Sequence, residues 1–388
     1  MSTAPVVGVV GGDVPVELIT AAGAVPVRLS GSPDVDRELG DRYLGTGVDP
    51  EARALLAGLL AGAWPGLDAL VVGRDCEASS RLFYALRELH RTGAAPGLPP
   101  VLLADVLHLP HRSTTRYVAH RLGELRTRLA DVLGTARPGP ADAAPADTAP
   151  ADGVLADAAL AEAVRAHDLL RARLATLVRR RRAMPMRSGP PELSGVDALA
   201  LYAATETMPV ADGIALLDRT LVGPPDAAAV PRAVGALESR GQADGARRRV
   251  PLRRVPLRRV HLTGSSHDGP SVYLALENAG YVVVSDDHDR GDLLARGQVG
   301  DPANLAEFYQ SARPTAARSA PRVRAALLDA DLTESVPDLV VAYIREHDDA
   351  PSWDLAAQRA VCARRGVPLV VVDRQQYGQI DLERLEQV

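Results

Sequence analysis

Eight short apolar runs, spaced by stretches of helical period, constrain this 388-residue chain most. Val6 to Val10, Ala24 to Leu29, Ala69 to Val72 and Val101 to Leu103 read as strands. Val260 to Thr263, Val282 to Ser285, Leu339 to Tyr343 and Leu369 to Val372 read as four more. Strands that alternate with helices build parallel sheets, because a parallel crossover needs a long connection. The expected fold is α/β, with two open parallel-sheet domains of Rossmann or flavodoxin type and a helical subdomain between them. Open sheets place chemistry at the carboxyl ends of their strands, so two such sheets are expected to face a common cleft.

The expected boundaries follow composition. An N-terminal α/β domain occupies 1–135. A Pro/Ala/Asp linker at 136–152 carries a period-five repeat with no large apolar residue. A helical subdomain spans 153–225, with helices expected at Leu155 to Arg180, Ser194 to Thr205 and Val210 to Leu221. The run Arg179 to Arg182 is read as a solvated helix end. An Arg/Pro-rich tether fills 226–257, and a C-terminal α/β domain fills 258–388. Helix signals there fall at Ser271 to Ala279, Leu305 to Ala312, Trp353 to Arg364 and near Asp381 to Gln387.

Several function classes are disfavoured. The net charge is −5 and aromatics are 3% of residues, so no basic field or stacking surface points to nucleic acid. All 44 basic residues are Arg, which fits a GC-rich genome. No apolar stretch has the length of a membrane span. The N-terminus lacks the basic start of a signal peptide, and two cysteines fit a reducing compartment, so a cytoplasmic location is expected.

Cys76 lies between an apolar strand and a helical pattern, a position where α/β proteins put a nucleophile or ligand. Arg74 and the following helix are expected to lower its pKa. The plain alternative is a small side chain kept for packing. Asp13 reads as the cap of a helix from Pro15 to Ala22, and Ser79 and Ser80 read as helix caps as well. His108, His111 and Arg112 follow the fourth strand and form either a loop facing the cleft or ordinary surface. Thr263 to Asp268 is a strand-to-helix loop whose N–H groups suit an anion, and His288 is expected on the same edge.

Ordered motifs across nearly the whole chain resemble the 2-hydroxyacyl-CoA dehydratase family. They are Gly8 to Leu29 (GVVGGDVPVELITAAGAVPVRL), Asp49-Pro50-Glu51-Ala52-Arg53, Leu67 through Cys76, Arg81 to Tyr84, Leu107 to Arg112, Leu262 to Ser265, Asp286-Asp287 and Gly366 to Leu369. The resemblance implies a four-iron four-sulfur cluster on three cysteines, a paired homologous subunit, an activator that supplies an electron, and an acyl-CoA substrate. Its ligand positions fall on Asp49, Cys76 and about Asp348, beside His347. A family serine falls on Gly12, and a cysteine on Gly11.

Two of the three thiolates are therefore carboxylates here, and an iron–sulfur cluster is not expected. A divalent metal on Asp49, Cys76, His347 and Asp348 is one alternative. Decay of the ligands to ordinary polar residues is the other. The candidate catalytic residues are Cys76 and His111, and the candidate substrate-binding residues are Gly12, Ser265 and His288. Three functions stand. The chain is a cluster-poor subunit that closes an acyl-CoA-type cleft against a homologous partner or a second copy, a repurposed enzyme using Cys76 with Asp49 and His347, or a metabolite-binding protein.

Overall fold

The computed structural model describes residues 4–134, 157–183, 193–221 and 257–387. The Pro/Ala/Asp linker and almost all of the Arg/Pro-rich tether lie outside the described residues.

All eight expected strands form. Val6–Val10 (β1), Val25–Arg28 (β2), Ala69–Gly73 (β3) and Val101–Ala104 (β4) make one sheet in the order β2-β1-β3-β4. Arg258–Gly264 (β5), Tyr281–Asp286 (β6), Leu339–Arg345 (β7) and Leu369–Gln375 (β8) make a second, in the matching order β6-β5-β7-β8. Every pairing is parallel. The inner strand β3 and the strands β6 and β7 are buried along their full lengths. Cover on both faces explains their unbroken apolar sequences. The strand β5 starts at Arg258, directly after the expected tether and two residues before its expected start at Val260.

Helices cover both faces of each sheet. Glu17 to Ile19 on Val16–Ala21 (α1) and the buried stripe of Arg112–Val132 (α5) lie on one face of the first sheet. Pro50–Leu60 (α3) and Glu77–Arg91 (α4) lie on the other. The helix Leu305–Ser311, although it follows β6 in sequence, also packs into the core of the first sheet through Leu305, Phe308 and Tyr309. A third core unites Ala158–Arg182 (α6), Gly195–Thr205 (α7) and Val210–Leu221 (α8) through Leu174, Leu177, Leu201 and Leu217. The helix Pro321–Ser335 carries no strong apolar stripe, and the sequence reading did not single it out.

Two expectations about polar residues need correction. The Arg179 to Arg182 run is not wholly solvated, because Arg181 is fully buried and Arg182 nearly so. Arg181 donates to Asp286 at 2.9 Å and Asp292 at 2.6 Å, and Arg182 to Asp292 and Asp331 at 2.9 Å each. The last turn of α6 is thus an ionic rivet into the second sheet. Asp13 does not cap α1, whose cap position is Pro15. It is buried and paired with Arg318 at 2.5 Å and His108 at 2.7 Å.

Candidate functional site

Both sheets change direction between their two middle strands, β1/β3 in the first and β5/β7 in the second. Connections that leave a sheet in opposite directions open a crevice at that point. The two crevices face each other across one cleft of about 130 Å³. Its wall includes Gly11 after β1, Asp75 and Cys76 after β3, Gly264 and Ser266 at the end of β5, and Arg345 and Asp348 at the end of β7. The loop after β6 adds Asp287 to Arg290. Gly264 has a φ of +112°, and a Cβ there would lie 2.0 Å from the Tyr343 carbonyl oxygen. The close approach of β5 to β7 therefore requires glycine at the cleft floor.

A guanidinium stands at the centre. Arg345 grips Asp49 with two parallel bonds, Nε to Oδ1 at 2.9 Å and Nη2 to Oδ2 at 2.8 Å. Nη2 also donates to Glu51 at 2.9 Å, and Nη1 to the Ser266 carbonyl at 2.8 Å. This fork geometry is the strong form of a charged hydrogen bond. Asp49 simultaneously caps α3, accepting from the Glu51 N–H at 2.9 Å. The ion pair thus ties the first helix turn on one sheet to a strand end on the other. Burial opposes the charge on Arg345, but the carboxylates beside it, Asp49 foremost, outweigh it and hold the group protonated.

Three more arginines surround this pair. Arg28 donates to Glu206 at 2.8 Å and to Asp289 at 2.5 Å. Arg318 pairs with Asp13 and lies 3.5 Å from Asp289. Arg290 reaches the Leu29 carbonyl at 2.6 Å and Ser30 at 3.0 Å. Burial resists ionisation of Asp289, yet Arg28, Arg318 and Arg290 prevail and hold its carboxyl far below the usual range. Other carboxyls move the opposite way. Burial and Asp268 push Glu51 up to about 8, against the pull of Arg345 and Arg290. Burial and Asp13 raise Asp75, and burial and Asp49 raise Asp348.

The structure gathers Asp49, Cys76 and Asp348 at this cleft, together with His288. The Tyr273 hydroxyl and His288 Nε2 are hydrogen bonded at 2.8 Å. Cys76 is the N-cap of α4, with the Ser79 N–H donating to Sγ at 3.4 Å and the Cys76 N–H donating to Ser79 Oγ at 3.1 Å. The cap is therefore Cys76, not Ser79 or Ser80. Its thiol exposes area to solvent at the cleft mouth, but crowding by protein atoms and the Asp75 carboxylate push its pKa up. Arg74, expected to lower it, pairs instead with Asp105 at 3.2 Å.

Other residues lie apart. His347 is exposed, in a left-handed conformation with φ +66°, 3.6 Å from Glu346. His111 is exposed at the start of α5 and does not line the cleft. Ser265 is buried and accepts from the Arg345 N–H at 3.0 Å, so Ser266 is the serine that faces the cleft. Gly12 donates its N–H to Asp75 at 2.7 Å, and a Cβ there would lie 2.7 Å from Arg318 Nη2 and from Asp289 Oδ2. Among the described residues, no group of three or more His, Cys, Asp or Glu side chains is arranged to hold a metal ion. Sequence reasoning missed Arg28, Glu51, Arg290, Arg318 and Arg345. Arg28 and Arg345 end β2 and β7, so an arginine closing an apolar strand was the available signal.

Residues 12–137 match the sequence model of the 2-hydroxyglutaryl-CoA dehydratase D-component. The match supports membership in the 2-hydroxyacyl-CoA dehydratase family. No curated protein matches the chain. The matched stretch contains Gly12, Asp49, Cys76 and His111, the positions that the residue resemblance marks, and ends before the second sheet. Beyond the matched stretch, His288 and Asp348 line the shared cleft, whereas Ser265 and His347 do not. No helix among the described residues is long and apolar enough to cross a membrane.

Proposed function

We propose that this dehydratase-like subunit works without an iron–sulfur cluster of its own and closes an acyl-CoA-type cleft against a homologous subunit. The observation that carries the reading is the Asp49–Arg345 clasp. Of the three positions that correspond to cluster ligands, Cys76 alone offers sulfur, while Asp49 and Asp348 offer hard oxygen. Both carboxylate oxygens of Asp49 already accept hydrogen bonds from a guanidinium. The charge that a cluster would supply to its ligands is supplied by Arg345 and its neighbours. The donor set does not fit the group, and no redox step is assigned to this chain.

The cleft of about 130 Å³ is also smaller than the several hundred Å³ that usually enclose a whole cofactor-sized ligand. A thioester's reactive end fits such a space, with the remainder lying outside it. That favours a chain that forms one wall of a shared site.

The deciding experiment combines anaerobic reconstitution with iron and sulfide and co-expression with a cluster-bearing homologous subunit. The expected result is substoichiometric iron on this chain alone and a stable heterodimer whose iron resides in the partner. About four irons per chain, with visible absorption lost in Cys76→Ala, would overturn the cluster-free reading. A chain that never associates with the homologue would overturn the partner role.

A further inference from the structure

A second pocket lies behind the first, sharing Gly11 and Arg28 with it, between the end of β1 and the helical subdomain. Its volume is about 70 Å³. Leu170, Leu174, Met208 and Val210 give it an apolar wall. The charged groups that border it are matched, with one exception. Arg28 holds Glu206 and Asp289. Arg171 holds Glu17 and Asp168. His167 is buried and joined to Thr20 Oγ1 at 2.9 Å, and burial pushes its pKa down to about 4, so it carries no charge at neutral pH.

The exception is Arg313. Its Nε is buried without a hydrogen-bond partner, and among the described residues no carboxylate pairs with it. Its guanidinium carbon lies 5.6 Å from the centre of the Phe308 ring. The nearby Glu17 is already committed to Arg171 and Tyr309, and Glu206 to Arg28. The Arg313 side chain is half-buried, and a guanidinium that no carboxylate neutralises attracts an anion that enters beside it. Arginine binds carboxylates through two parallel bonds, which suits a planar acid.

We propose that this pocket binds a small apolar monocarboxylate, its carboxylate on Arg313 and its short tail along Leu170, Leu174, Met208 and Val210. The volume admits an acid of a few carbons, and the apolar wall selects against inorganic anions. This site adjoins the Asp49–Arg345 cleft through Gly11 and Arg28 but does not depend on the cluster-free reading.

Titration calorimetry on the full chain tests it with butyrate, butyramide and inorganic phosphate. Butyrate is expected to bind saturably, with butyramide and phosphate at least tenfold weaker. Arg313→Gln is expected to lose butyrate affinity at least tenfold and to leave the weak binding of butyramide unchanged. Equal affinity for acid and amide would overturn the proposal, as would tighter phosphate, no saturation with butyrate, or undiminished binding in the variant. The acid–amide comparison on the native chain decides the matter even where the variant fails to fold.

Discussion

Replacing Glu17 with Gln tests how the helical subdomain is held to the first sheet. Glu17 on α1 is fully buried and accepts from Arg171 on α6 and from the Tyr309 hydroxyl at 2.7 Å. Burial alone would raise its pKa, but Arg171 outweighs burial and the carboxyl falls from its ordinary 4.5 to about 2. A carboxyl whose pKa is lower in the folded chain stabilises the fold above its unfolded pKa. That contribution disappears as pH falls through the folded value. Two and a half pH units at about 1.4 kcal/mol each give about 3 kcal/mol at pH 7. In urea, with a slope of about 2 kcal/mol per molar, the midpoint of Glu17→Gln should lie roughly 1–2 M below that of the native chain. The gap should hold from pH 7 to pH 5 and close as pH approaches 2. Glu17 favours the protonated form of His167, so that group titrates lower still in the variant. A gap that is the same at pH 7 and pH 2.5 would refute the electrostatic account and assign the loss to packing.

Removing the rivet in Arg181→Met leaves Asp286 and Asp292 short of a buried cation. It should cost about 3–5 kcal/mol in equilibrium unfolding, and a loss under about 1 kcal/mol would show the ion pairs to be dispensable. Cys76→Ser should keep the α4 cap and full stability, whereas Cys76→Ala should cost about 1 kcal/mol. A Cys76→Ser variant as unstable as Cys76→Ala would deny the capping role. Gly264→Ala forces a Cβ against the Tyr343 carbonyl and should destabilise by about 3 kcal/mol in thermal melts, and a neutral effect would mean that β5 and β7 can separate.

Much of the fold was legible because the strands are buried on both faces. Complete burial demands continuous apolar sequence, and Ala69 to Val72 or Leu339 to Tyr343 can hardly be anything else. Helix caps were less legible. A buried Asp13 and a capping Asp look alike in sequence, and the choice between them was made by Arg318, 305 residues away. The same holds for the arginine run at the end of α6, whose inner face meets carboxylates from the loop after β6 and from Pro321–Ser335. Pro321–Ser335 itself escaped notice because its inward face carries Arg324 and Asp331 beside Leu327 and Leu328, which blurs the helical stripe.

At the cleft, the dehydratase resemblance pointed to Asp49, Cys76 and Asp348, and all three do line it. It could not indicate Arg345, because nothing in a linear pattern says which guanidinium will meet a carboxylate nearly 300 positions earlier. By itself the sequence determined which segments are strands, that the sheets are parallel, and that a single cysteine stands at the positions marked by the dehydratase resemblance. Those properties depend on local period and on residue type. Only the tertiary structure decided which charges neutralise one another and that Arg313 is left over, because pairing depends on distance and on exclusion of water, and both are set by the packing of remote segments.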